Sequence, residues 1–266
     1  MEWKTYQTEE LKQKYVYRYI TIEKLIDFLD TGCLHLTRID HFEDNLEGIE
    51  PFEVVELDQI SELSKISESS KMSEEIKDLA IQEILKNLQT VQNAIKARQQ
   101  KIFVSCWILN DVESFAMWDI YGKTGFALKF EREYFQSLIQ NSIQLQTEPT
   151  SKLELLISGI VQYQNFEGMH FKEEESTLPY SFFRKHLSFN HEIEYRIVGC
   201  GEDLDTTGLK FKLPELEDLD FELIANPRLD QFQFGIYDGI LSKYSKKHVL
   251  KESELKRWLN FRNIDF

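Results

Sequence analysis

Residues 15–37 read YVYRYITIEKLIDFLDTGCLHLT, and this run decides the fold class. Residues 15–20 are aromatic and β-branched, the composition of a strand. Thr21 stands where a helix cap is expected, and Ile22, Leu25, Ile26 and Leu29 recur at helical spacing. Gly32 supplies a stop, because glycine takes the left-handed conformation that closes a helix. Residues 34–37 then read as a second strand. Working outward, strands are expected at 102–108, 125–130, 194–198, 209–213 and 223–225. Short helices are expected up to Tyr121, capped by Asp111 or Ser114, and at 133–140, 230–241 and, more polar, 252–260. Residues 156–162 fit helix or strand equally. Strands and helices mix without a regular βαβ rhythm. The expected class is therefore α+β, with a mixed or antiparallel central sheet and flanking helices.

Residues 57–100 differ in composition. Ser, Glu, Lys, Ile and Leu dominate, and neither Gly nor Pro occurs. Ile76, Leu79, Ala80, Ile84, Leu88, Val91 and Ile95 form one long apolar stripe after a helix start at Ser73. This reads as a helical insertion of one short and one long helix, within a single domain spanning 1–266. It carries no chemical constellation, so packing or contact with a partner protein is its expected role.

The chain has 266 residues and a net charge of −15, which works against general binding along a nucleic-acid backbone. A small anionic cofactor needs only one or two cations and remains compatible. Cys33, Cys106 and Cys200 are odd in number and far apart, so neither a disulfide framework nor a zinc knuckle is expected. No apolar run reaches the ~20 residues of a membrane span, and residues 1–4 show no signal-peptide pattern. A cytoplasmic protein is expected. Walker, GxGxxG, HExxH and GxSxG motifs are absent from the sequence.

Four segments, in order, carry a resemblance. They are Tyr17-Arg18-Tyr19 with the loop 42–47, then 104–107, then Ala116-Met117-Trp118-Asp119-Ile120-Tyr121, then Lys185-His186 with Glu192-Ile193-Glu194-Tyr195-Arg196. Together they resemble the bacterial domain-of-unknown-function family numbered 2971. The loop departs from the family pattern, with Glu43 and Leu46 where asparagine and a proline–aromatic step are common. The family name implies no activity.

Glu192-x-Glu194 is the sharpest chemical signal. Two apart on a strand, both carboxylates would face one side and repel unless a group sits between them. The pair is similar to the glutamate-x-glutamate of ADP-ribosyltransferases. That likeness implies that Glu194 stabilises an oxocarbenium-like transition state and Glu192 deprotonates an acceptor. It also implies an arginine on an early strand, here Arg18 beside Tyr17, holding the NAD pyrophosphate, and a serine, Ser105, at the ribose. The plain alternative is a solvated pair, with Glu194 bound to Arg196 or Lys185, Arg18 stacked between tyrosines, and Ser105 simply buried.

Trp118 and Tyr121, three apart on a helix, could wall a base or pack in the core. His186 could act as an acid–base group or lie at the surface. His35, Asp40, His41, Asp44 and Glu47 suggest a metal loop, yet their spacing matches no metal motif, and no metal is expected. Asn226-Pro227-Arg228 could hold an anion or form a turn.

Three functional classes follow. The favoured one is an NAD-using, ADP-ribosyltransferase-like enzyme, with a protein, a nucleic acid or water as acceptor; the likeness loosely implies a toxin or anti-phage effector. The second is a metal-dependent phosphodiesterase or nuclease. The third is a non-enzymatic binding or sensor module that meets a partner through 57–100.

Overall fold

The computed structural model describes residues 1–7, 11–44, 47–49, 53, 73–123, 125–165, 180–202 and 204–259. The 15–37 run folds as expected. β2 (Tyr15–Ile20) leads into α1 (Ile22–Thr31) and then β3 (Cys33–Arg38). Thr21 is the N-cap but makes no side-chain cap bond. Gly32 closes the helix at φ 61°, its N–H donating to the Phe28 carbonyl, in the left-handed region where a Cβ would be strained.

Ahead of them lies β1 (Glu2–Tyr6), which the sequence reading did not foresee. The remaining strands are β4 (Ile102–Asn110), β5 (Phe126–Glu131), β6 (Leu155–Ile160), β7 (Gln162–Gln164), β8 (Arg184–His186), β9 (Glu194–Cys200), β10 (Gly208–Lys212), β11 (Glu222–Ala225) and β12 (Leu250–Glu252). The ambiguous 156–162 stretch is strand, settled by pairing of β6 between β1 and β9.

Ten strands form one mixed sheet in the order β1-β6-β9-β4-β2-β5-β11-β12, with β3 also beside β4 and β10 beside β3. The β1–β6 and β11–β12 pairs are parallel, and the other pairs of this sheet are antiparallel. β7 and β8 make a separate parallel pair. This is an α+β fold with a mixed sheet, as the element pattern implied.

One feature of the sheet positions everything that follows. β2 pairs with β4 only at Tyr15, Val16 and Tyr17, opposite Asn110, Leu109 and Ile108. β3 pairs with the other end of β4, Thr37 and Arg38 opposite Val104 and Phe103. Between them, Ser105, Cys106 and Trp107 have a ladder partner on the β9 side alone among the described strands. The sheet forks there.

Side-chain alternation separates two faces. Val16, Ile20, Phe103, Trp107, Leu109, Leu128 and Phe130 join the main core under α1 and α4 (Arg132–Asn141). Trp107 meets Phe135 of α4 with ring centroids 4.3 Å apart. On the opposite face Tyr17, Tyr19, Ile108 and Ala127 pack with Met117 and Trp118 of α3 (Phe115–Ile120). Ser114 caps α3 by accepting from the Met117 N–H; Asp111, the other cap candidate, instead accepts from the Lys14 N–H at 2.7 Å.

Of the 57–100 insertion, the described part is a single helix, α2 (Glu74–Gln99), with Ser73 at its N-cap. The short helix expected before it lies outside the described residues. α5 (Gln231–Leu241) starts with a reciprocal cap between Asp230 and Gln233. The polar helix expected at 252–260 is cut to α6 (Lys256–Leu259), because residues 250–252 are drawn into the sheet as β12. Among the described residues no helix is long and apolar enough to cross a membrane.

Candidate functional site

The fork holds Arg18. Its Nη1 donates to Ser105 Oγ at 3.0 Å and its Nη2 to the His35 carbonyl at 3.1 Å, with the guanidinium 5.5 Å from the Trp107 ring. Ser105 Oγ also accepts from Trp107 Nε1 at 3.1 Å. Two strands and a buried hydroxyl thus fix the planar group. Among the described residues two of its five N–H groups are used, and the other three could serve a ligand. No carboxylate pairs with Arg18 among the described residues, and burial lowers its pKa to about 10. It stays cationic at neutral pH without a counter-ion, the condition that favours an incoming anion.

Arg18 lines a cavity of about 400 Å³ with Tyr17, Tyr19, Lys24 and Phe42 near it. Glu47, Lys185, Glu192, Glu194 and Tyr121 line the same cavity. These residues form a buried ionic chain. Arg196, fully buried, donates to both Glu47 oxygens (2.8 and 2.6 Å) and through Nε to Glu194 at 2.7 Å. Lys185 Nζ donates to Glu194 at 2.8 Å and to Glu192 at 2.6 Å. The Tyr121 hydroxyl donates to the other Glu192 oxygen at 2.6 Å. Three carboxylates face two cations, so the chain is neutral when one carboxyl keeps its proton.

Glu192 is the one of the three that holds a proton most readily. Burial, then the neighbouring Glu194 carboxylate, push its pKa up to about 7, against the pull of Lys185 and Tyr121. Burial also works to raise Glu194, but Arg196 and Lys185 prevail and hold it well below the usual carboxylate range. Two adjacent acids with diverging titrations are the arrangement that divides proton transfer from electrostatic stabilisation. Burial works to lower the Lys185 pKa, yet Glu194 and Glu47 raise it, so the ammonium stays charged.

The backbone reaches this geometry by an unexpected route. β9 begins at Glu194, and Glu192 ends a 3-10 turn, Leu187–Glu192. Period-two alternation therefore does not align the two acids. Ile193 between them takes φ 45°, the left-handed region, which a β-branched residue rarely adopts. That twist turns Glu192 back so that it shares Lys185 with Glu194. Glu194 is pinned from the backbone side, its N–H donating to the Tyr163 hydroxyl at 2.8 Å and its carbonyl accepting from Val161.

The expected residues divide as follows. Tyr17, Arg18, Tyr121, Glu192 and Glu194 meet at one cavity. Ser105 is fully buried behind Arg18 and holds the guanidinium rather than facing the opening. Trp118 and Tyr121 do not form one aromatic wall. The helix ends at Ile120, so Tyr121 swings out to Glu192, while Trp118 is buried against Tyr19 and donates to Glu113. His186 lies off the cavity and caps the 3-10 turn through Ser188.

Of the loop weighed for a metal and set aside, Asp40 and His41 stay together, 3.7 Å apart beside Arg38, while His35 and Glu47 turn elsewhere. Asp40 meets Arg38, His41 approaches Arg38, His35 meets Thr37, and Glu47 turns to Arg196. Among the described residues no group of three or more His, Cys, Asp or Glu could hold a metal ion. Asn226 forms the turn of the alternative reading, with its side-chain oxygen accepting from the Arg228 N–H and its amide bonded to the Gly122 carbonyl. Arg228 is already paired with Asp119 at 2.5 Å.

Sequence reasoning weighed Lys185 and Arg196 as plain partners of Glu194, which they are. It did not join Glu47 to them, because 149 positions separate Glu47 from Arg196. The role of Tyr163 carried no local signal.

The model of a family described as "Protein of unknown function (DUF2971)" matches residues 117–197, which supports that family for this part of the chain. The matched stretch runs from α3 through Tyr121, Lys185, Glu192 and Glu194 to the first residues of β9. No curated protein and no solved structure matches the chain.

Proposed function

We propose that the chain is an NAD-using, ADP-ribosyltransferase-like enzyme that cleaves the bond between nicotinamide and ribose. One observation carries the reading: a single cavity is lined both by a guanidinium that has no carboxylate partner among the described residues and by a carboxyl group whose pKa burial pushes up to about 7. Arg18 would bind the pyrophosphate through its free N–H groups. Glu192, as carboxylate, would take the proton of an acceptor hydroxyl or water. The acceptor oxygen then bonds to the ribose C1′ as the C1′–N bond breaks, and nicotinamide leaves with that electron pair as a neutral base. A base of pKa near 7 suits this step at physiological pH.

Glu194 takes a different part from the one its sequence pattern suggests. Both of its oxygens are held by cations, Lys185 and Arg196. It would position Lys185 and raise the Glu192 pKa rather than bear directly on the sugar. The same pairing favours a second reading, in which the cavity binds a nucleotide without turning it over and the chain acts as a sensor.

Calorimetry with NAD on wild type and Arg18→Met, followed by a nicotinamide-release assay on wild type and Glu192→Gln, tests the proposal. The expected result is binding lost in the first variant and release lost in the second. Binding to wild type with no release under any condition leaves the sensor reading. Neither binding nor release removes both.

A further inference from the structure

One side of α5 seats it on the main core through Phe234, Tyr237 and Leu241. The other side is apolar and open. Phe232, Ile236 and Ile240, spaced four apart, form an outward stripe and are 77%, 46% and 36% exposed. Gly235 and Gly239 flank this stripe, both exposed. A glycine inside a helix costs stability relative to alanine, and nothing among the described residues calls for these two. Neither has a positive φ, and a Cβ at either would meet no atom within 4 Å. Along residues 231–241 the only charge is Asp238, half-buried, although the chain carries −15 in all. No residue of α5 lines the ionic cavity.

We propose that this face of α5 is the contact of a homodimer, packed antiparallel on α5 of a second copy across a two-fold axis near Ile236. Three features select a second copy as the occupant. The stripe is self-complementary, as a two-fold contact requires: Ile236 meets itself at the axis, and Phe232 of each copy falls on the partner's Gly239 and Ile240. The two glycines let the helix backbones approach where longer side chains would hold them apart, which gives their cost to α5 a reason. The ends match in charge. Asp230, the N-cap, and Lys243, just beyond the C-cap Ser242, are both exposed. Antiparallel pairing sets each Lys243 beside the partner's Asp230, whereas parallel pairing sets like charges together. Such exposed pairs fix the register more than they add affinity. Antiparallel packing also opposes the two helix dipoles. The uncharged stripe lets two acidic chains meet without juxtaposing like charges. A helix of this length spans only about 16 Å, so the dimer is weak and reversible.

Sedimentation equilibrium of the full chain tests the proposal. The wild type should approach twice the mass of one chain as its concentration rises to about 100 µM. Ile236→Lys, at an exposed position that the fold does not need, should weaken the dimer at least tenfold. The double variant Gly235→Ala/Gly239→Ala should unfold at a higher temperature than wild type, because the isolated helix gains, and yet dimerise at least tenfold less tightly. Mild oxidation should link Ile236→Cys to itself but not Phe232→Cys, whose two copies would stand about 12 Å apart along the helices. A chain monomeric throughout, which would leave the face to residues 260–266 or to a different protein, overturns the proposal. So does a dimer indifferent to Ile236→Lys or to the alanine pair, or a Phe232→Cys variant that links as readily as Ile236→Cys.

Discussion

Replacing Glu192 by Gln should flatten the pH dependence of folding stability, and the size of the effect follows from the site. In the folded chain the Glu192 carboxyl titrates near 7, against an ordinary value of 4.5. Between those values the folded state holds a proton that the unfolded state has released. Stability therefore falls as pH rises through this window, and the fall ends above the folded pKa. Integrating the two titrations from pH 5 to pH 8 gives a loss on the order of 2–3 kcal/mol from this one group. Glu194 has the opposite shift, and its stabilisation is nearly complete at pH 5, because that pH already lies above the ordinary value of 4.5 that the group has in the unfolded chain. It contributes little slope in the same window. Gln cannot ionise, and its single amide oxygen replaces only one of the two oxygens that Lys185 and Tyr121 use, a loss that is the same at both pH values. Urea unfolding of wild type and Glu192→Gln at pH 5 and pH 8 gives a double difference in which the other titrations cancel. The expected value is on the order of 2–3 kcal/mol, with wild type losing more on going to pH 8. A difference near zero, or of opposite sign, would refute the reasoning that Glu192 keeps the proton.

Arg18→Met should abolish nucleotide binding while leaving unfolding free energy within about 1 kcal/mol of wild type, because it removes a buried charge with no counter-ion along with two hydrogen bonds. A large loss of stability in chemical denaturation would show that the guanidinium serves the fold. Arg196→Met should do the reverse of that mild change, costing about 3–5 kcal/mol, since Glu47 and Glu194 would be left buried with a single shared ammonium. A denaturation midpoint close to wild type would contradict the ionic chain.

The strands and the fold class were legible where local pattern and tertiary pairing agree. The 15–37 run is the clearest case, because alternation, helical spacing and a terminal glycine each act within a few residues. β1 was not legible, since Glu2–Tyr6 is polar and largely exposed and owes its strand form to pairing with β6. The site was half legible. Glu192-x-Glu194 does mark two acids that meet at one cavity, but the strand argument behind it does not hold, because a left-handed Ile193 rather than strand alternation faces them both toward Lys185. Glu47 could not be read at all. Its pairing with Arg196 is a fact of three-dimensional closure, and nothing near either residue announces the other. Trp118 shows the converse error: its spacing from Tyr121 was right for a shared face, but the helix stops one residue too early for the rule to apply.

The C-terminal end of α2 is fastened to the site. Arg98 donates to the Gly48 carbonyl and to both oxygens of Glu53, and Gln99 donates to the Glu47 carbonyl at 2.7 Å. Excising the 57–100 segment, the natural way to ask whether it recruits a partner, would therefore also cut the stays that hold Glu47 against Arg196. A truncated protein that lost its function would say nothing about recruitment. The cleaner trial leaves residues 95–100 in place and recolours only the outward side of the helix, exchanging Leu79 and Leu85, both exposed, for charged residues.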